Sequence, residues 1–265
     1  MPNLLINGVN YHYEETGSGE ETIIFSHGLL WSGHMFHKQV AYFKDRYRVI
    51  TYDHRGQGKT EASADGYDMD TLYEDAAVLI EKFVGKPVIF AGLSMGGFVG
   101  MRLAARRPEL IKKLILLETT ADTEPAENVP KYKMLNSIVK YVGFWPVISK
   151  VMQIMFGRKF LNDPTRAEEK KYWINQLKQN NRKGITKAVD GVIYRKGIAD
   201  ELHNIKCPTL IMVGDQDVAT KPEKARKIHS LVPNSKLVVF EGGGHTSSVE
   251  EPEIYNTEIE NFLKS

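Results

Sequence analysis

Gly92-Leu93-Ser94-Met95-Gly96-Gly97 spells G-x-S-x-G between the apolar run PVIFA and a helical pattern. A serine on a sharp strand-to-helix turn is presented for attack. The flanking glycines remove Cβ atoms that would strike neighbouring backbone, and the helix N-terminus offers unpaired N–H groups to a developing anion. Such a serine needs a base, and the base needs a carboxylate to orient it. Gly214-Asp215-Gln216-Asp217 follows the run TLIMV, and Gly242-Gly243-Gly244-His245 follows KLVVF. Acid and histidine thus succeed the serine along the chain, each just past a strand-like run. Together these groups could transfer an acyl group to water. The tetrahedral oxyanion would need two donors: the N–H of Met95, next to the serine, and the N–H of Leu29, in the His27-Gly28-Leu29-Leu30 loop after TIIFS. His27 reads as a residue that fixes this loop rather than as the base.

The elements that must hold these groups alternate. RVITYD, PVIFAG, KLILLE, TLIMVG and KLVVF are continuous apolar runs that predict strands buried on both faces of a mainly parallel sheet. LLI and VNYHY flank Asn7-Gly8, a pair suited to a hairpin turn. Between RVITYD and PVIFAG, Leu72, Ala76, Leu79, Ile80 and Phe83 form a helical stripe, with Thr71 and Glu74 expected as its capping box. Gly96, Gly100 and Ala104 are spaced for close helix–sheet approach, and Tyr255, Ile259, Phe262 and Leu263 share a face after Pro252. From 121 to 205 no comparable strand occurs, and the stretch predicts an inserted helical cap between core segments 1–120 and 206–265. It carries 15 Lys+Arg against 9 Asp+Glu, or +6, which leaves −4 for the rest of a chain whose net charge is +2.

The composition excludes several other classes. The chain's 265 residues, 42% of them hydrophobic, suffice for a sizeable core, and a near-neutral balance argues against a nucleic-acid binder. One cysteine, Cys207, rules out an internal disulfide framework and a multi-cysteine zinc site. The eight histidines are scattered, so no metal and no other cofactor is expected. Gly56-Gln57-Gly58-Lys59-Thr60 imitates the end of a phosphate-binding loop, but Asp53 stands where that loop needs glycine. The opening MPNLLINGVNYHYEE lacks the pattern of a signal peptide, and no apolar run approaches the ~20 residues of a spanning helix. A cytoplasmic protein without stable membrane insertion is expected.

With HGLL, DHRGQG, GLSMGGFVG and GGGHTSSVEEPE, the sequence resembles α/β-hydrolases of the esterase and lactonase type from about Leu4 to Leu263. Its nearest flavour is that of 3-oxoadipate enol-lactone hydrolases. The resemblance implies an eight-stranded, mostly parallel α/β sheet flanked by helices, and a serine hydrolase acting on a small ester or lactone through an acyl-enzyme. It implies Ser94 as nucleophile, His245 as base and Asp217 as acid, with Asp215 and Glu118 as the remaining candidates for the acid. Trp31, Trp145 and Met152 are expected to line the substrate pocket. The same constellation also serves C–C hydrolase, lyase and perhydrolase chemistry, and a slow-turnover ligand receptor.

Overall fold

In the computed structural model, which describes residues 3–265, alternate residues of the apolar runs feed opposite faces of one sheet. Ile24, Ile50, Phe90, Leu114, Leu116, Ile211 and Val213 enter one apolar cluster. Ile23, Phe25, Val49, Ile89, Ile115, Leu117 and Met212 enter the other. Side chains of successive strand residues point to opposite faces, so a strand covered on both sides must be apolar throughout. The strands are β1 (Asn3–Ile6), β2 (Val9–Thr16), β3 (Thr22–Ser26), β4 (Arg48–Tyr52), β5 (Val88–Leu93), β6 (Ile111–Leu117), β7 (Thr209–Gly214) and β8 (Ser235–Phe240). Their order in the sheet is β1-β2-β4-β3-β5-β6-β7-β8.

Asn7 and Gly8 turn the β1–β2 hairpin with φ of 47° and 79°. β2 runs antiparallel to β4, and the remaining pairings, from β4 to β8, are parallel. β8 departs from the expected double burial: Leu237 and Val238 are half-buried and Val239 is exposed, because the strand closes the sheet's edge.

The helices are α1 (His37–Phe43), α2 (Met69–Val78), α3 (Met95–Arg106), α4 (Val129–Tyr141), α5 (Ile148–Met155), α6 (Arg158–Asn162), α7 (Ala167–Gln179), α8 (Arg182–Ile193), α9 (Pro222–Leu231), α10 (Ser247–Glu250) and α11 (Pro252–Lys264). Residues of α2, α3 and α9 join the first cluster, and those of α1 and α11 the second. α2 carries the expected stripe, but its cap lies earlier than Thr71. Asp68 accepts from the N–H groups of Asp70 and Thr71. The helix then widens into a π turn over Leu79–Val84 and stops at Gly85, with φ 70°.

Between β6 and β7 the chain leaves the sheet and forms α4 to α8. Ile198 N donates to Ala121 O at 2.8 Å, so the two ends of this excursion meet. Beyond that neck Ile198, Leu202 and Ile205 pack back into the first core cluster. The final residues of the 121–205 stretch therefore belong to the core by packing. Among the described residues no helix is long and apolar enough to cross a membrane.

One buried ionic cluster ties the hairpin, α2 and the loop after β4 together. Asp75 accepts from Asn7 Nδ2 and Arg55 Nη2, each at 2.8 Å, and also from Arg55 Nε and the Tyr11 hydroxyl. Truncating Asp75 would strand a buried guanidinium, at a cost of about 3–5 kcal/mol. Urea unfolding of Asp75→Ala should show a loss of that order. A loss below about 1 kcal/mol would contradict this role for the cluster.

Candidate active site

Ser94 sits between β5 and α3 with φ 51° and ψ −108°, a left-handed backbone that costs a non-glycine residue energy. The turn survives because its surroundings accept it. A Cβ on Gly92 would lie 2.2 Å from Gly96 O, and one on Gly96 would lie 2.1 Å from Ser26 O. Neither site tolerates a side chain. Ser94 N donates to Leu117 O at 2.8 Å, and Thr119 Oγ1 donates to Ser94 O at 2.8 Å. The strained residue is therefore clamped from the neighbouring strand.

Ser94 Oγ lies 2.9 Å from His245 Nε2, and His245 Nδ1 lies 2.8 Å from Asp217 Oδ2. A carboxylate at Nδ1 keeps the proton there, which leaves Nε2 to accept from the serine hydroxyl. Asp217 is almost wholly buried. It accepts from the N–H groups of Ala219 and Thr220 at 2.8 and 2.9 Å, and from Thr220 Oγ1 at 2.7 Å. Burial pushes its carboxyl up. The charge and hydrogen bond of His245 and the bonds from Thr220 outweigh that and hold it below the ordinary range.

The other two carboxylates considered for the acid do different work. Asp215 Oδ1 accepts from Gly242 N at 2.8 Å, and with Gln216 N donating to Gly243 O at 2.9 Å it stitches the loop after β7 to the histidine's loop. Glu118, at φ 40°, is fully buried and receives the hydroxyls of Ser247 and Tyr255; burial drives its carboxyl well up. It faces α10 and α11 rather than the imidazole.

Leu29 follows Gly28, where a Cβ would come 3.5 Å from the Ser94 Cβ. The loop backbone thus passes close to the serine. His27 fixes that loop: it is fully buried, its Nε2 accepts from His54 N at 2.9 Å, and its Nδ1 therefore donates to Gly28 O at 2.8 Å. Gln57 adds a brace that the sequence did not single out, accepting from Leu30 N at 3.0 Å and reaching the Met95 sulfur at 3.8 Å. Asp53 accepts from Gly33 N and Lys59 N, each at 2.8 Å, and holds the supporting loop in turn.

Ser94, His245, Leu29 and Leu30 border a cavity of about 140 Å³ whose remaining wall comes largely from α4, α5 and α8. The expected lining needs correction. Trp31 is buried edge-on against Phe156 and Trp173, with ring centroids 5.8 and 5.3 Å away, and borders a different cavity with His34 and Tyr172. Trp145 is 81% exposed. Met152 is buried on the wrong side of α5, where Val151, Ile154 and Met155 carry the cavity wall at i, i+3 and i+4. That spacing was present in the sequence.

The fold and this site define the class: the model for the alpha/beta hydrolase fold matches residues 21–146 and 147–252, and the chain belongs to that family. Among its relatives, it is similar to 3-oxoadipate enol-lactonase 2 of Acinetobacter baylyi, 28% identical over 98% of this chain and 96% of that one. The enol-lactonase of Burkholderia xenovorans superposes with a TM-score of 0.92 at 24% identity, covering 100% of both chains. A bromoperoxidase of Bacillus anthracis superposes with 0.88 at the same identity, also covering 100% of both. Proteins with differently named chemistry therefore share this fold.

Glu250, another carboxylate missed in the sequence, joins the histidine's loop to the helical excursion. It accepts from Gly157 N at 2.8 Å and from Gly244 N and Thr246 N at 3.2 Å each, the last two flanking His245. Burial pushes its carboxyl from the usual 4.5 up to about 7, against those N–H bonds. The folded state then binds the proton more tightly than the unfolded one. Its contribution to stability is full below about 4.5 and falls as pH rises through 7. Relative to Glu250→Gln, the wild type should lose up to about 3 kcal/mol across that window, read by urea unfolding at several pH values. A flat difference would contradict the shift.

Proposed function

We propose that the protein is a carboxylic ester or lactone hydrolase working through Ser94, His245 and Asp217. The observation that carries this reading is the unbroken chain from Ser94 Oγ through His245 to Asp217, at 2.9 and 2.8 Å, opening on an apolar cavity. The 28% identical relative named as an enol-lactonase supports the choice of lactones and esters over other acyl substrates.

In this mechanism His245 Nε2 takes the serine proton as Oγ attacks the carbonyl carbon. The oxyanion is received by the N–H groups of Met95 and Leu29, and loss of one such donor typically costs ~10²–10³ in rate. Asp217 holds the imidazole by Nδ1 and stabilises its cation. As the tetrahedral intermediate collapses, His245 gives its proton to the leaving alkoxide. Water, deprotonated by the same nitrogen, then attacks the acyl-enzyme, and the second collapse returns the proton to Ser94 Oγ with release of the acid. Helices α4 to α8 of the 121–205 segment act as the lid over this cavity, since α4, α5 and α8 supply most of its wall.

Hydrolysis of p-nitrophenyl esters from acetate to decanoate tests the reading. Ser94→Ala should lower kcat/KM by at least ~10³, and Asp217→Asn should lower kcat by roughly 10⁴, both in folded protein. Turnover surviving Ser94→Ala at the wild-type rate would overturn the mechanism.

A further inference from the structure

The cavity at Ser94 contains a buried ion pair that the acyl-transfer step does not use. Arg195 Nη1 donates to Glu124 Oε2 at 2.8 Å, and the two side chains are only 4% and 11% exposed. Both residues line the cavity. Arg195 is held in place: Nε donates to Asp122 O at 3.0 Å, Nη1 also donates to Val192 O at 2.9 Å, and the guanidinium lies 4.6 Å over the Phe98 ring. Glu124 is held as well, accepting from Asn128 Nδ2 at 2.9 Å.

Resting on the ester hydrolase reading, we propose that Glu124 makes the cavity selective for neutral, apolar acyl groups by neutralising Arg195. Of the 15 Lys+Arg in the basic 121–205 stretch, only Arg195 reaches the cavity wall. The others lie elsewhere, as with Lys170 on the Leu161 and Asp163 carbonyls, or Lys187 on those of Ser63 and Ala64. A carboxylate on the acyl chain would leave water for an apolar wall, find its one cation already paired, and face Glu124 beside it. A neutral chain meets none of these costs. The size of the space agrees: about 140 Å³ is close to the roughly 150 Å³ of an apolar cavity that takes benzene, so an acyl group of about six carbons fits.

Specificity should therefore invert partly when the carboxylate is removed. The probes are p-nitrophenyl hexanoate and the mono-p-nitrophenyl ester of adipic acid, equal in chain length and different by one charge. The wild type should favour the hexanoate by roughly 100-fold or more in kcat/KM. Glu124→Gln, which keeps the shape and frees Arg195, should raise the adipate-to-hexanoate ratio at least tenfold. Wild-type enzyme that hydrolyses both esters equally, with turnover lost in Ser94→Ala, would overturn this selectivity and leave the hydrolase reading standing. A folded Glu124→Gln with an unchanged ratio would also overturn it. Should that variant not fold, the wild-type ratio alone decides. No Ser94-dependent turnover of any ester or lactone would remove the reading on which the proposal rests.

Discussion

The left-handed backbone of Ser94 is the constraint on which the rest of the site depends. At φ 51° the chain reverses sharply into α3 and lifts Oγ to the cavity. Such a conformation is kept only where neighbours leave no alternative. Gly92, Gly96 and Gly97 allow backbone and Thr119 to close on the turn, each filling space that a Cβ would need. The parallel sheet contributes the clamp directly, because Leu117 O on β6 receives the Ser94 N–H.

Around that turn, four further loops converge from the C-terminal ends of β3, β4, β7 and β8, where open α/β sheets build their sites. Carboxylates hold these loops by accepting backbone N–H groups. Asp53 fixes the loop after β4, Asp215 joins the loops after β7 and β8, and Glu250 spans the His245 loop and Gly157. Loop backbone buried near a cleft must find partners for its N–H groups, and a carboxylate with two oxygens satisfies several at once. Burial above all, with the Asp217 charge adding to it, raises the Glu250 and Glu118 carboxyls, while Asp217 itself is held low by His245.

Much of this was legible in the sequence because strands and turns obey local rules. The apolar runs marked the strands, Asn7-Gly8 marked the hairpin, and G-x-S-x-G marked the strained turn. What escaped depends on distant packing. The helix cap moved from Thr71 to Asp68 because a cap is set by which side chain reaches the free N–H groups. Trp31, Trp145 and Met152 were expected in the pocket. Yet Trp31 borders the neighbouring cavity and Trp145 lies in solvent, while α5 gives the wall Val151, Ile154 and Met155 at helical spacing. Gln57 and Glu250 act through backbone groups of other loops, contacts that leave no periodic trace in the chain.

A fold of this family hosts several chemistries, so the account stands on Ser94 being a nucleophile activated by His245. Paraoxon, an organophosphate triester, tests this without any assumption about substrate. Peptide mass spectrometry after brief exposure should find one diethylphosphoryl group per chain, on Ser94, with p-nitrophenolate released in equal amount. His245→Ala should label far more slowly. Absence of an adduct on Ser94, or labelling as fast without His245, would contradict the account.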